Sequence, residues 1–247
     1  MTAGTESPEA RAFLERVRSA LGRASGPPPA DPATHLFQSA DQVADAASAV
    51  RRDMHARAEE LLDDVAESAA AAGWRVTRAA SPEDAADVIA EICAEAGIRT
   101  ALRSDQAVFD AVPIDAALAG AGVELRLATA DSLGGDVGLR DAAFDVDAGI
   151  TGVDYAIAET GTVVLHPRRG LSRLVSLTPG RHIAILNRGD VLPSLDELFT
   201  LERAAYLDGA MEGSMNLISG PSRTGDIAAT IVEGIHGPFE VYLVIVG

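Results

Sequence analysis

Three short polar stretches interrupt apolar runs, and each holds side chains able to do chemistry. In IAETGTVVL, residues 157–165, apolar residues flank Glu159, Thr160, Gly161 and Thr162. A glycine-centred hairpin turn accounts for Gly161. The acid and the two hydroxyls are either ordinary turn polarity or a carboxylate held at a sheet edge as nucleophile or base. In ISGPSRTGDI, residues 218–227, Gly220 and Pro221 make a sharp exit from a strand. Ser219, Ser222, Thr224 and Asp226 are of the types that cap backbone N–H groups, and Arg223 stands among them. The same residues describe a well-capped turn or a cradle in which N–H groups converge on an anion. In EGIHGPFEV, residues 233–241, His236 lies in a tight loop with Gly234, Gly237 and Pro238. Its ring suits a proton shuttle, or simply a hydrogen bond to the loop backbone. His166 and His182 flank strand-like runs and rank below it as candidates. No two histidines have helical metal-ligand spacing, so no metal site is expected in this chain.

Charge adds a fourth signal. The formal net charge is −17, yet no Asp or Glu occurs from Thr160 to Gly189. That window holds Arg168, Arg169, Arg173, Arg181 and Arg188. Guanidinium forks bind carboxylate and phosphate in bidentate geometry, which suits a small anionic substrate such as a carboxylate, or an acidic partner. Pairing with acids elsewhere in the chain is the competing explanation.

Composition excludes several chemistries. All 20 basic residues are arginine and none is lysine. Schiff-base chemistry and the Walker A phosphate loop both need a lysine. Cys93 is the only cysteine, so no internal disulfide and no multi-cysteine zinc or iron–sulfur site can come from this chain alone. The acidic balance argues against nucleic-acid binding and against an anionic membrane surface. No apolar run reaches the roughly 18–20 residues of a membrane span, and the first residues lack the apolar core of a signal peptide. A cytoplasmic protein without membrane insertion is the expectation.

The elements that must position these residues follow from periodicity and punctuation. PEARAFLERVRSALG, residues 8–22, has an apolar stripe at helical spacing, and a proline-rich linker follows it. Residues 1–35 are therefore expected to form a helical arm with its linker, and residues 36–247 one α/β domain. Residues 41–72 read as helix, closed by Gly73. From Trp74 strands and helices alternate. The first such helix starts with Ser81 as N-cap and Pro82 at its first position, and Gly97 stops it. A further helix is expected over about 106–119, an antiparallel strand pair over 153–166, and a helix from 194 opened by a Ser194–Glu197 capping box. Alternating strands and helices predict a three-layer α/β/α sandwich around a mostly parallel sheet. In such sheets ligands bind beyond the carboxyl ends of the strands.

The segments GITGVDYAIAETGTVVL, PGRHIAILNRGDVLPSLDEL, ISGPSRTGDI and EGIHGPFEVYLVIV, in that order, resemble the LUD-domain family. The resemblance runs over roughly residues 40–247 and is densest after 149. Gly225 departs from the small residue more usual before the aspartate, which loosens that turn. The resemblance implies a fold similar to the sugar-phosphate isomerase and CoA-transferase superfamily. It also implies a place in a three-part system that oxidises L-lactate to pyruvate, with the iron–sulfur clusters on the two partner subunits and no cofactor bound by this chain alone. A lone cysteine fits that division. The family's catalytic residues are not established, so the resemblance transfers motif positions and not roles. AETG also loosely resembles the segment that carries the catalytic glutamate of CoA-transferases.

Three readings follow. In the first, the chain is a subunit of a lactate-oxidising, L-lactate dehydrogenase complex. Glu159, His236 and Asp226 are then its candidate acid–base residues. Thr160, Gly161, Thr162, Arg168, Arg169, Ser219, Gly220, Ser222, Arg223 and Thr224 are its candidate substrate- or anion-binding residues. In the second, it is a stand-alone enzyme of the isomerase/CoA-transferase fold acting on a small anionic or acyl substrate. In the third, it is a non-catalytic assembly subunit.

Overall fold

The computed structural model describes residues 38–225 and 231–247, together with the helical positions 12, 13 and 16. The rest of the helix expected at 8–22, the linker and Asp226 lie outside the described residues. The chain divides into two compact units, 1–42 and 43–247, and the second carries both clefts and every element from residue 43 on.

The helical stretch begins at a reciprocal cap. The Ser39 N–H donates to Gln42 Oε1 at 2.8 Å, and the Gln42 N–H donates to Ser39 Oγ at 3.3 Å. Two helices follow, α1 (Ala40–Ala56) and α2 (Ala58–Ala72), separated at Arg57. Then come β1 (Arg75–Ala79), α3 (Pro82–Glu95) and β2 (Thr100–Arg103). Ser81 caps α3 as its sequence predicts, accepting from the Asp84 N–H at 3.1 Å. The helix expected over 106–119 is two short ones, α4 (Val108–Ala111) and α5 (Ile114–Gly120). Pro113 between them lacks the N–H that a continuous helix needs. Next are β3 (Glu124–Leu127), α6 (Ala130–Leu133), α7 (Asp136–Asp145) and β4 (Ala148–Gly152). The expected strand pair is β5 (Tyr155–Ile157) and β6 (Thr162–Leu165). After it come α8 (Arg173–Leu177), β7 (Arg181–Asn187), β8 (Val191–Leu192) and α9 (Leu195–Leu207), the last opened by the predicted capping box. The chain closes with β9 (Asn216–Ile218), β10 (Arg223–Gly225), β11 (Ile231–Glu233) and β12 (Glu240–Val246).

Among the described residues the large sheet has the order β1-β12-β7-β4-β2-β3, and every neighbouring pair is parallel. Alternation along its central strands divides the core. Ile183, Ile185, Tyr242 and Val244 pack with Ile89 and Cys93 of α3 and with Ile114 and Leu118 of α5. Ala184, Leu186, Leu243 and Ile245 point to the other face, toward Leu61, Leu62 and Val65 of α2. Both faces are covered, as a parallel sheet requires.

The β5–β6 pair does not join this sheet. It forms a second, four-stranded sheet of order β8-β5-β6-β9. One face of that sheet, with Ala156, Val163 and Leu165, lies against the large sheet beside α2. The other, with Ile157, Val164 and Leu192, meets α1 and α9 through Val43, Ala47, Met54, Leu198 and Leu201. A small sheet is thus inserted between the large sheet and an outer helical layer.

Chain direction matters for the site. From β2 the chain moves outward to β3, whereas from β4 it moves the other way to β7 and then β12. The gap between β2 and β4 is therefore a topological switch point. A crevice opens there at the carboxyl ends, because adjacent connections diverge.

Candidate functional site

Two clefts lie at the carboxyl ends of the parallel strands. The first encloses about 480 Å³. Its walls come from the segments after β2 (Gln106) and β4 (Asp154, Tyr155), from the last residue of β7 (Asn187) and Asp190 beyond it, and from Arg51 of α1 and Glu202 of α9. Gly152 ends β4 where a Cβ would stand 2.8 Å from Val108 Cγ1, so glycine lets the chain turn closely into the cleft. Gln106 holds that turn. Its Oε1 accepts from the Gly152 N–H at 2.9 Å and from Ser104 Oγ at 2.6 Å.

His166, the residue that follows β6, is the centre of the first cleft. Its Nδ1 lies 3.2 Å from Asp154 Oδ2 and its Nε2 lies 2.9 Å from Glu202 Oε1. All three side chains are at least four-fifths buried. Arg168 forks onto Asp154 through two bonds of 3.0 and 2.8 Å, and it also donates to the His166 carbonyl at 2.8 Å. The electrostatics follow from these contacts. Burial alone would raise the Asp154 pKa. Hydrogen bonds from His166 and Arg168 outweigh it and bring the carboxyl down to about 2. The hydrogen bond with Asp154 raises the His166 pKa, burial opposes that rise, and the Glu202 charge adds to it. A carboxylate at each ring nitrogen favours the imidazolium of His166, the form that can donate from both. Asp190 shifts the opposite way from Asp154. Burial raises it, the bond from Asn187 at 3.1 Å only partly offsets that, and the nearby Asp154 charge raises it further. One cleft therefore holds a firmly ionised carboxylate and a more basic one, the pattern that separates acid–base roles. Among the described residues, Arg51 makes no ion pair although it lines the same cleft.

The second cleft, of about 930 Å³, adjoins the first through Arg168. It lies beyond β2 and β3 and is lined by Arg169 and Arg173, by Asp131 and Asp136, and by Ala128 and Leu139. Among the described residues no group of three or more His, Cys, Asp or Glu side chains is disposed to hold a metal ion.

The three polar stretches singled out in the sequence gather elsewhere. The β5–β6 hairpin has its His166 end at the clefts, and Glu159, Thr160 and Gly161 form its other end. Thr160 Oγ1 is 2.7 Å from Thr162 Oγ1, which is 2.7 Å from Ser219 Oγ. This hydroxyl chain joins the first stretch to the second. The second is tied in turn to the third. The Ser222 N–H donates to the Pro238 carbonyl at 2.8 Å, and Ser222 Oγ accepts from the His236 N–H at 3.2 Å. Thr224 sits in the β10–β11 ribbon opposite Val232, and Arg223 pairs with Glu233 at 3.1 Å. The Phe239 N–H donates to the Gly180 carbonyl, just before β7 begins, so this assembly lies toward the amino ends of the large sheet. Glu159 and His236 are exposed there and line neither cleft. Two glycines owe their presence to packing. A Cβ on Gly161 would collide with the Ala69 backbone, and one on Gly220 with the Ala72 carbonyl, both at the end of α2.

Of the candidates named from sequence, then, Arg168 and Arg169 line the clefts, and the remaining described ones form the amino-end assembly. The arginine window is largely paired. Arg168 meets Asp154, Arg181 meets Glu240 at 2.6 Å, and Arg188 meets Glu59. Arg51, Asp154, Asp190 and Glu202 are the cleft residues that sequence reasoning passed over, and His166 is one it ranked below His236. The usable signal was present. β4, AGITG, is an apolar and glycine run just before Asp154, and placing the carboxyl-end rule on it leads to the cleft.

Residues 62–246 match the LUD domain. The chain belongs to the LUD domain family. The LUD span contains both clefts' residues except Arg51, and it contains the three polar stretches. Relatives named lactate utilization protein C match over shorter stretches. That of Halalkalibacterium halodurans is 38% identical over 112 residues, covering 44% of this chain and 47% of the relative. That of Bacillus subtilis is 34% identical over 105 residues, covering 42% and 44%. The chain thus spans about half the length of the curated relatives it matches. A crystal structure of a DUF162 family protein from Deinococcus radiodurans is 20% identical, with a TM-score of 0.47, covering 80% of this chain and 98% of that one. No helix among the described residues is long and apolar enough to cross a membrane.

Proposed function

We propose that this LUD-domain chain serves L-lactate utilization, as the subunit that binds the hydroxy acid for oxidation to pyruvate beside iron–sulfur partner proteins. The names of its relatives support the pathway. The observation that carries the site is the first cleft, where Arg51, which makes no ion pair among the described residues, shares a small crevice with Asp190 and His166. A guanidinium suits the carboxylate of lactate. Asp190, the more basic carboxylate, suits the hydroxyl proton. His166, held between Asp154 and Glu202, keeps those two side chains in place at the wall of the crevice. Conversion of lactate to pyruvate releases two electrons and two protons. The hydroxyl proton would go to Asp190, and the two electrons with the second proton would go to a two-electron acceptor that the partners must supply ahead of their one-electron iron–sulfur clusters.

Growth of a deletion strain tests the reading. It should fail on L-lactate, grow on pyruvate, and be rescued by the wild-type gene but not by Arg51→Gln or Asp190→Asn. Undiminished growth of the deletion strain on lactate would sink it.

The amino-end assembly favours a second role alongside the first. Val232, Ile235 and Phe239 expose 40–60% of their area next to Ser222 and His236. Exposed apolar side chains set among polar turns fit a protein partner better than a small ligand. Ile235→Asp should abolish co-purification with the iron–sulfur partners while leaving lactate binding by the isolated chain intact. Unchanged co-purification would remove this role.

A further inference from the structure

The second cleft takes no part in the reading above, and its walls carry chemistry of their own. One wall is the turn that follows His166, with Arg168, Arg169 and Arg173 within six residues. This turn is rigid. Arg168 and Leu171 exchange both backbone hydrogen bonds, at 3.1 and 2.9 Å, and the Gly170 carbonyl accepts from the Asp105 N–H at 2.7 Å. Gly170 has φ +83°, and a Cβ there would stand 2.8 Å from the Asp105 carbonyl oxygen, so only glycine lets the turn sit this close to the end of β2. Arg168 is fixed on Asp154. Arg173 makes no ion pair among the described residues, and Arg169 meets only Asp131, at 3.5 Å, with both side chains almost fully exposed. The Arg173 guanidinium is therefore available at the cleft, and Arg169 is held there only by one long, exposed contact that a phosphate can displace.

The other wall holds Asp131 and Asp136, in the first turns of α6 and α7. Between the walls lies an apolar floor of Ala128, Leu139 and Leu171, each buried. Arginine forks match phosphate oxygens bidentately. Carboxylates accept hydrogen bonds from paired hydroxyls, as they do at a ribose. A buried apolar floor offers a flat heterocycle a place to lie. A volume of about 930 Å³ accommodates all three parts of such a ligand.

We infer that the second cleft binds a nucleoside phosphate, with its phosphate on Arg169 and Arg173, its sugar hydroxyls on Asp131 and Asp136, and its base over Ala128 and Leu139. Its site is separate from the hydroxy-acid cleft, and binding is read without any reaction. The two readings can therefore fail independently.

Equilibrium dialysis of the full chain against ADP, adenosine and inorganic phosphate tests it. ADP should bind more tightly than either fragment. Arg173→Gln and Arg169→Gln should each weaken ADP binding about tenfold, the loss expected for one charge-assisted contact. Asp131→Asn should weaken ADP binding and not that of inorganic phosphate. An unchanged melting temperature shows that each variant is folded. Absence of ADP binding, or ADP binding indifferent to Arg173→Gln, overturns the site. ADP binding no tighter than inorganic phosphate overturns the nucleoside assignment.

Discussion

His166 reaches one oxygen of Asp154 twice. Its backbone N–H lies 2.7 Å from Asp154 Oδ2 and its Nδ1 lies 3.2 Å from the same atom. The backbone contact fixes Asp154 whatever the ring does, so the ring's tautomer and protonation together decide the second bond, and its charge decides how strong that bond is. This makes the pair a source of pH-dependent stability with a predictable sign. The folded pKa of His166 is raised above its ordinary 6.5. Its contribution is thus complete below pH 6.5 and is lost as pH rises through the raised folded value. The folded pKa of Asp154 is depressed, from 3.8 to about 2. Its contribution, about 2 kcal/mol by linkage, is present above pH 3.8 and is lost as pH falls toward 2. Thermal melts from pH 5 to 9 should show stability falling on the alkaline side, and His166→Gln should flatten that limb. An equal alkaline slope in the variant would contradict the assignment.

Glu202 supplies the other half of the imidazolium's environment. It sits 2.9 Å from His166 Nε2, on a helix that packs against the small sheet. Glu202→Gln keeps a hydrogen-bonding group and removes the charge. The His166 titration, followed through its ring proton resonance, should move downward but stay above that of Glu202→Gln combined with Asp154→Asn. A titration unmoved by Glu202→Gln would mean that the contact does not persist in solution.

The elements that position the cleft were largely legible in the sequence, and the cleft itself was not. Ser81, Pro82, Gly97, Ser194 and Glu197 act locally, through backbone groups within one turn, so their spacing alone declares the helix ends. The β5–β6 pair was legible as a hairpin. Its departure from the large sheet was not, because both sheets bury apolar residues on both faces and give the same unbroken runs. The cleft residues Arg51, Asp154, His166, Asp190 and Glu202 come from five separate segments, joined only by tertiary packing. Glu159, Ser222 and His236 draw the eye because glycines and prolines crowd around them. Much of that crowding has a packing cause, as Gly161 and Gly220 against α2 show.

Thr162 is buried, and its hydroxyl links Thr160 and Ser219 with two contacts of 2.7 Å. Thr162→Val keeps the shape and β-branching but leaves the Ser219 hydroxyl short of a partner. Ser219 and Thr160 are exposed and can turn to water, so a loss of about 0.5–1.5 kcal/mol is expected in urea melts, the net worth of an ordinary hydrogen bond. Thr162→Ser, which retains the oxygen, should cost less. A variant order with serine below valine would show that the methyl and not the hydroxyl holds the corner.

Gly161 and Gly97 separate backbone strain from collision. Both have positive φ, +63° and +67°. A Cβ at Gly97 meets nothing within 4 Å, so Gly97→Ala bears only the left-handed backbone cost of about 1–2 kcal/mol. At Gly161 the same Cβ would enter the Ala69 backbone inside α2, and neither the helix nor the hairpin tip can give way without parting the small sheet from it. Gly161→Ala should therefore cost at least about 2 kcal/mol more than Gly97→Ala. It should also loosen the tip, raising amide exchange at Thr160 and Thr162 while leaving β7 and β12 protected. Equal destabilisation by the two substitutions would mean that the hairpin tip does not pack on α2 in solution.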